Sequence, residues 1–338
     1  MKIALDAMGG DKAPVETVKG AVIALDEIKG LEMVLVGKKE LIENELKKYK
    51  YDRTRVEIVH TDEVIEMDEQ DSPAMAVKKK KNASMNIALQ MVKEGKASGA
   101  VSAGNTGALM SASLLKLGRV KGVMRPAITA VLPAEKGGVV LLDAGANADC
   151  KPEYLEQFGK MGSLYAEILM GKSNPRVGLL NIGEEKGKGN EVTVAAYDLL
   201  EKVEGINFIG NIEARDIMGD KVDVVVTDGF TGNMILKMAE GTASFVVKII
   251  KENIKSSFIA MIGAMFLIPV FKRIKKRVDY SEYGGALFLG LNGISIKSHG
   301  SSDAKAIKNG IKVAYNFAEK KFVEQLERVM KGEAECQN

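Results

Sequence analysis

The chain has 338 residues, 46% of them apolar and 28% charged, with a formal net charge of +3. These are the proportions of a soluble globular protein able to bury a core, as one large α/β domain or two modest ones. A balance so weakly basic, with no arginine-rich segment and no tryptophan, gives nucleic acid no support as a partner.

Met1-Lys2 leads straight into an apolar run with no signal-peptide core, so a cytoplasmic location is expected. Ile3 to Leu5 read as a strand, Gly9-Gly10-Asp11 as a loop, and Pro14 as the first turn of a helix to about Ile28. Met33 to Val36 make a strand, Lys38 to Lys48 a charged helix and Val56 to Val59 a third strand. That alternation predicts right-handed βαβ units and a mostly parallel sheet. From His60 to Ser72 the chain is acidic and irregular. A helix is then predicted to carry Lys78 to Lys81, and another to cover Ser84 to Lys93. Four consecutive lysines cannot share one helix face; they are either solvated or a docking patch for an acidic partner or a phosphate.

Ala100 to Met110 (AVSAGNTGALM) runs from a short strand through Gly104-Asn105-Thr106-Gly107 directly into a helical pattern. Glycines at such a junction let backbone N–H groups approach an anion, and the helix N-terminus adds partial positive charge. The device returns at Val224 to Asn233 (VVVTDGFTGN), and more loosely at Ile3 to Asp11 (IALDAMGGD) and Val139 to Asn147 (VVLLDAGAN). Ligands of open α/β sheets sit outside the carboxyl ends of strands, so these four loops are expected to form one polar site, although glycine also serves simple tight turns.

Ile128 to Leu132 and Val139 to Leu142 have hairpin spacing, which makes part of the sheet antiparallel. Pro152 opens a helix to Met170. Val177 to Leu180 lead into a polar loop ending at Asn190. Val192 to Leu200 are helical, Ile206 to Ile209 and Val222 to Val226 are strands, and a helix after Gly232 runs to Lys255. With no linker and no long repeat, one αβα unit over 1–338 is favoured. Phe258 to Phe271 is uncharged and flanked by Lys248, Lys251 and Lys255 before it and Lys272, Arg273, Lys275, Lys276 and Arg277 after it. At 14 residues it is shorter than the ~20 that span a bilayer. The apolar and basic segment at about 248–278 is therefore either a helix lying in an anionic membrane surface or a buried interface.

Several chemistries lack their motifs. No G-x-G-x-x-G follows a strand, Gly171-Lys172-Ser173 lacks the first P-loop glycine, and no G-x-S-x-G elbow exists. Two histidines, His60 and His299, and two distant cysteines, Cys150 and Cys336, make neither a zinc cluster nor a disulfide framework. What remains is a site of glycine N–H groups with Asn, Thr, Lys and Asp, suited to an oxyanion and without an activated nucleophile. Phosphate attacking a thioester needs little more, because phosphate is already anionic and thiolate leaves readily.

Ile3 to Asp11, Ser102 to Gly107, Leu179 to Glu185 (LLNIGEE), Val224 to Asn233 and Ser298 to Ser302 (SHGSS) resemble, in order and over residues 1 to about 325, the bacterial phosphate acyltransferases, also called acyl-carrier-protein:phosphate acyltransferases. The resemblance implies a Rossmann-like αβα sandwich related to phosphotransacetylases, with no metal or organic cofactor. It implies acyl transfer from acyl-carrier protein to inorganic phosphate for phospholipid synthesis. It further implies a homodimer, peripheral contact with the cytoplasmic membrane, and a downstream glycerol-3-phosphate acyltransferase that uses the acyl phosphate. In that frame Gly104, Asn105, Thr106 and Gly107 cradle phosphate, Gly9, Gly10 and Asp11 line the same pocket, and Asp6 orients the first loop. Asn181, Glu184, Glu185 and Lys188 sit opposite, Lys188 neutralising phosphate. Asp228, Gly229, Thr231 and Asn233 place the thioester and its oxyanion. His299 is a candidate proton donor to the departing sulfur or a structural histidine; Asp6, Asp143 and Asp228 alternatively cap helices, and Cys150 as a covalent acyl acceptor is disfavoured. A coenzyme A phosphotransacetylase and a non-catalytic membrane scaffold are the competing readings.

Overall fold

The computed structural model describes residues 1–278 and 284–332, without the side chains of residues 272 and 275–278. Most side chains of the basic flank after Phe271, and the whole of Cys336, therefore lie outside the described part of the chain. In chain order the elements are β1 (Lys2–Asp6), α1 (Val15–Glu27), β2 (Glu32–Gly37), α2 (Lys39–Leu46), β3 (Val56–His60), α3 (Pro73–Lys79), α4 (Ser84–Lys93), β4 (Gly99–Ser102) and α5 (Thr106–Lys116). The middle of the chain gives β5 (Ala127–Ala134), β6 (Gly137–Leu142), α6 (Pro152–Met170), β7 (Arg176–Leu180), α7 (Glu191–Leu200), β8 (Asn207–Ile212) and β9 (Val224–Val226). Then follow α8 (Gly229–Lys255), α9 (Phe258–Val278), β10 (Ala286–Leu289), β11 (Ile294–Lys297), α10 (Ala304–Glu319) and α11 (Phe322–Lys331).

The strands form one sheet in the order β3-β2-β1-β4-β11-β10-β5-β6-β9-β7-β8. The first five pair in parallel, as do the last four, and most strand pairs are parallel, as the βαβ alternation predicts. Between the two blocks lie three antiparallel steps, β11–β10, β10–β5 and β5–β6. An odd number of reversals turns the second block upside down relative to the first. The carboxyl ends of β1, β4 and β11 therefore lie on one edge of the sheet, and those of β6, β9 and β7 on the other. The four glycine loops do not share one edge.

Both faces are buried, which explains the continuous apolar runs of the inner strands. One face carries α1, α6, α10 and α11 over a core that includes Ile3, Leu5, Phe158, Tyr165 and Phe317. The other carries α4, α5 and the early turns of α8 (Ile235, Leu236, Ala239) over Ala4, Ala100, Val225 and Phe288. Since β4 and β9 run oppositely, α5 and α8 run oppositely over that face.

Three boundaries differ from expectation. The helix carrying the lysines stops at Lys79, because Lys80 leaves helical geometry and pairs with Glu69 at 2.5 Å; Lys79 pairs with Asp71 at 2.9 Å. The long helix after β9 starts at Gly229 rather than after Gly232, since Asp228 caps it by accepting from Thr231 N at 2.8 Å. The apolar stretch continues as α9 to Val278, packed along α8 as a helical hairpin. Much of that hairpin is bare, with Ile259 82% and Phe266 81% exposed. Among the described residues no helix is long and apolar enough to cross a membrane.

Candidate active site

The first loop cluster is built on Asp6 at the end of β1. Its carboxylate is buried and accepts from Ser84 Oγ and Ser102 Oγ at 2.6 Å each and from Met8 N at 3.2 Å. Burial raises its pKa above the ordinary value, against the pull of those donors. Ser102 Oγ in turn accepts from Gly104 N at 3.0 Å, so Asp6 ties the β1 and β4 loops together. A Cβ on Gly9 would lie 2.5 Å from Asp6 Oδ2 and 2.8 Å from Gly104 N, which explains glycine there by close approach. Asn105 caps α5 by accepting from Ala108 N at 3.0 Å, and its Nδ2 donates to Met67 O at 3.2 Å. The N–H groups of Thr106 and Gly107 belong to the first helical turn, which lacks intrahelical acceptors.

The loop after β11 completes this cluster. Asp11 N donates to Gly300 O at 2.9 Å, and Gly10 takes a φ of 104°, in the left-handed region that glycine tolerates. Lys297 is only 8% exposed and is the register partner of Ser102. Its Nζ donates to Ser298 O. Burial pulls its pKa down to about 8, Lys237 adds to the fall, and Asp11 and Asp6 oppose it. His299 is lowered too, by burial first and then by Lys297 and Lys237; its Nδ1 accepts from Ser301 N at 3.3 Å. In the same loop the Ser298 and Ser302 hydroxyls are buried with no hydrogen-bond partner among the described residues.

The second cluster is built on Asp143 at the other edge. Asp143 is fully buried and accepts from Ile128 N at 2.9 Å, Gly145 N at 3.1 Å, Ala146 N at 3.0 Å, Asn147 N at 2.7 Å and Asn147 Nδ2 at 2.9 Å. Gly229 N donates to Asn147 O at 2.7 Å, and Gly232 packs against the Asp143 carbonyl so closely that a Cβ has no room. Asn233 stands over Gly145, and Thr231 is held by Asp228 through both N and Oγ1 at 2.8 Å. Cys150 lies nearby, its thiol pushed up to about 12 by burial and by Asp143 and Asp228, which leaves it a poor nucleophile.

The two long helices join the clusters. From its start at Asp228, α8 rises about 14 Å in nine residues, and Lys237 and Glu240 then act electrostatically on His299, with Lys237 acting on Lys297 as well. In the opposite sense, α5 starts at the first cluster and its Met110 and Leu114 share a cavity with Ala146 and Asn147 of the second. Most of the expected site residues thus fall into two groups at opposite edges of the sheet, linked along α5 and α8. A third group, in the loop after β7, makes contacts of its own. Asn181 Nδ2 donates to Lys188 O at 2.9 Å, Asn211 Nδ2 to Glu185 O at 2.9 Å, and Lys221 pairs with Glu184 at 2.5 Å, so that loop is tied to β8 and its neighbours.

Sequence reasoning missed Lys297. The alternation Ile294-Ser295-Ile296-Lys297, ending one residue before SHGSS, is the period-2 signal that would have marked a strand with a polar end at a glycine loop.

A family model described as "Fatty acid synthesis protein" matches residues 1–325. The phosphate acyltransferase of Fusobacterium nucleatum is 55% identical over 334 residues, covering 98% of this chain and 100% of that one. That of Pelotomaculum thermopropionicum is 56% identical over 326 residues, 96% of this chain and 94% of the relative. In fold the chain is similar to a Streptococcus pyogenes phosphotransacetylase (TM-score 0.64, 17% identity, 95% of this chain and 94% of that one). It is also similar to a branched-chain phosphotransacylase of Enterococcus faecalis (TM-score 0.58, 14% identity, 94% and 99%). At 55% identity over essentially its whole length, the chain belongs to the phosphate acyltransferase family, a family of acyltransferase enzymes.

Proposed function

We propose that the protein transfers a fatty acyl group from acyl-carrier protein to inorganic phosphate, giving acyl phosphate and free carrier protein for phospholipid synthesis. Phosphate sits at the first cluster, against the N–H groups of Thr106 and Gly107 and the Lys297 ammonium. One phosphate oxygen attacks the thioester carbonyl carbon; a C–O bond forms, the carbonyl oxygen becomes an oxyanion, and its collapse breaks the C–S bond. Asn233, Gly229 and Thr231, at the opposite edge of the sheet, bind the part of the acyl donor remote from its reacting carbonyl. His299, held neutral near pH 7 by its lowered pKa, offers its Nε2–H as a hydrogen bond to the departing sulfur, which takes its proton from water.

The observation that carries this reading is the buried Lys297 set beside the glycine cradle at the N-terminus of α5. A buried cation on the strand beside the one that leads into such a helix N-terminus favours an anion there, and direct attack by that anion needs no activated serine or cysteine. The bare apolar surface of the α8–α9 hairpin supports peripheral contact with the cytoplasmic membrane. A homodimer and a downstream glycerol-3-phosphate acyltransferase rest on the family resemblance. The decisive experiment measures phosphate-dependent release of thiol from acyl-carrier protein while hydroxylamine traps the acyl phosphate. Thiol and hydroxamate in equal amounts, only with phosphate, are expected. Thiol without phosphate makes the protein a thioesterase, and turnover restricted to coenzyme A thioesters makes it a phosphotransacetylase.

A further inference from the structure

A cavity of about 620 Å³ lies beside α5 and is lined by Met110, Leu114, Arg119, Arg125, Asn147 and Tyr154, among others. Its chemistry is divided. Met110, Leu114 and Tyr154 make apolar wall, while Arg119 and Arg125 bring two positive charges. Arg119 donates to Met124 O, and the Arg125 guanidinium lies 6.0 Å from the centre of the Tyr154 ring. Among the described residues neither arginine has a carboxylate within ion-pair distance, whereas Lys79, Lys80, Arg176 and Lys221 are all paired. Two uncompensated guanidinium groups over an apolar wall fit a ligand with a phosphate at one end and a largely apolar, amide-bearing body.

The cavity also has a direction. Thr106, Met110 and Leu114 follow one another at i, i+4 and i+8, so they form a stripe along one side of α5. The stripe begins at the phosphate cradle and ends at the arginines. Those 11 residues of helix span about 16 Å. A phosphopantetheine arm has roughly thirteen bonds from phosphorus to sulfur, the reach of a little over four extended residues, or about 15 Å. With its phosphate on Arg119 and Arg125, the arm laid along Met110 brings its sulfur to Thr106 and the anion cradle.

We propose that this cavity holds the phosphopantetheine arm of the acyl donor, with Arg119 and Arg125 binding its phosphate. The inference rests on the thioester reading above and adds to it where the donor's arm lies. Both a carrier protein and coenzyme A present this arm, so the arginines read the chemistry the two share.

The test measures calorimetric binding of S-octanoyl-4′-phosphopantetheine and of S-octanoyl-pantetheine, which lacks the phosphate, to the wild-type chain and to an Arg119→Gln/Arg125→Gln variant. Wild type is expected to bind the phosphorylated compound at least ten-fold more tightly, and the double variant to bind both alike. Arg125→Lys, which keeps a charge but not the fork, should lie between. Leu114→Glu should weaken both compounds equally. Equal binding of the two by wild type, or a preference that survives in the double variant, overturns the proposal. Octanoyl-carrier protein and octanoyl-coenzyme A, run as substrates with phosphate, identify the source by the lower KM, and each donor used must lose the same factor in the double variant. Turnover without a phosphate preference in binding removes the subsite and leaves the reaction. A preference in binding without turnover removes the reaction and leaves the subsite.

Discussion

Lys297 of β11 and Ser102 of β4 are register partners at the carboxyl ends of two parallel strands, and Ser102 Oγ donates to the buried Asp6 at 2.6 Å. A lysine and a carboxylate are thus held one strand apart under the same glycine loops. The sheet order makes this possible, because β11 comes from the last quarter of the chain and pairs with a strand nearly 200 residues earlier.

A buried ammonium with a pKa of about 8 sets a pH window. Lys297 is charged below about pH 8 and loses its charge above it, so kcat/KM for phosphate should fall through that value. Lys297→Met should lower kcat/KM by on the order of 10²–10³ and flatten the alkaline limb. Lys297→Arg should remove the limb while keeping part of the rate. The stability sign is the reverse of a salt bridge's: the folded pKa lies below the unfolded value of 10.5, so the charged form costs about 3 kcal/mol at neutral pH. Stability should therefore rise between about pH 8 and 10.5, and the Met variant should melt higher than wild type at pH 7. A flat wild-type rate profile across pH 8 would remove Lys297 from phosphate binding.

Glycine substitutions should divide by what a Cβ meets. Gly9→Ala places it 2.5 Å from Asp6 Oδ2 and 2.9 Å from Ser102 Oγ, so about 1–3 kcal/mol of stability and most phosphate affinity should go together. Gly232→Ala meets the Asp143 backbone carbonyl and should not yield folded protein. Gly241, in α8, faces open space, so Gly241→Ala should stabilise by up to about 1 kcal/mol. Urea unfolding with a parallel phosphate titration separates the three.

Local signals carried much of this structure. Pro152 and Met170 bound α6 as the pattern of apolar residues indicated, and the β5–β6 hairpin lies where its spacing placed it. Strand direction was not local. Whether the Asp143 loop faces the Asp6 loop depends on three antiparallel steps, two of which involve β10, a four-residue strand with no pattern long enough to read. The strand ending at Lys297 was legible in its alternation, but the burial of Lys297 was not, because it follows from β11 lying between β4 and β10.

Capping and chemistry can be separated at Asn105 and Asp228. Each caps a helix through its side chain, so Asn105→Ala and Asp228→Ala should each cost about 1 kcal/mol. Asp52, in the turn before β3 and part of neither cluster, accepts from Thr54 N at 3.0 Å, and Asp52→Ala serves as the control. If the glycine loops work on substrate, the first two variants lose more than ten-fold in turnover at a temperature where all three are folded, and Asp52→Ala loses none. Equal activity in all three would make both caps purely structural and move the reacting groups elsewhere.

The α8–α9 hairpin offers a different test, because its exposed apolar residues from Phe245 to Phe266 belong to neither loop cluster. Phe258, Ile259, Met265 and Phe266 are all exposed, and Lys248, Lys251 and Lys255 lie along the preceding helix. Apolar side chains beside lysines gain from inserting into an anionic headgroup layer, and each neighbouring lysine adds about 1 kcal/mol. Ile259→Glu combined with Phe266→Glu should therefore reduce co-sedimentation with anionic vesicles at least ten-fold. Turnover of a short-chain acyl-carrier protein without vesicles should stay at the wild-type rate, since neither residue belongs to a loop cluster or lines the cavity beside α5. High salt should weaken the wild-type interaction, as the Debye length falls to about 3 Å at 1 M. Should the variant keep its vesicle binding but sediment as a smaller species than wild type, the hairpin is an interface between copies of the chain and not a membrane contact.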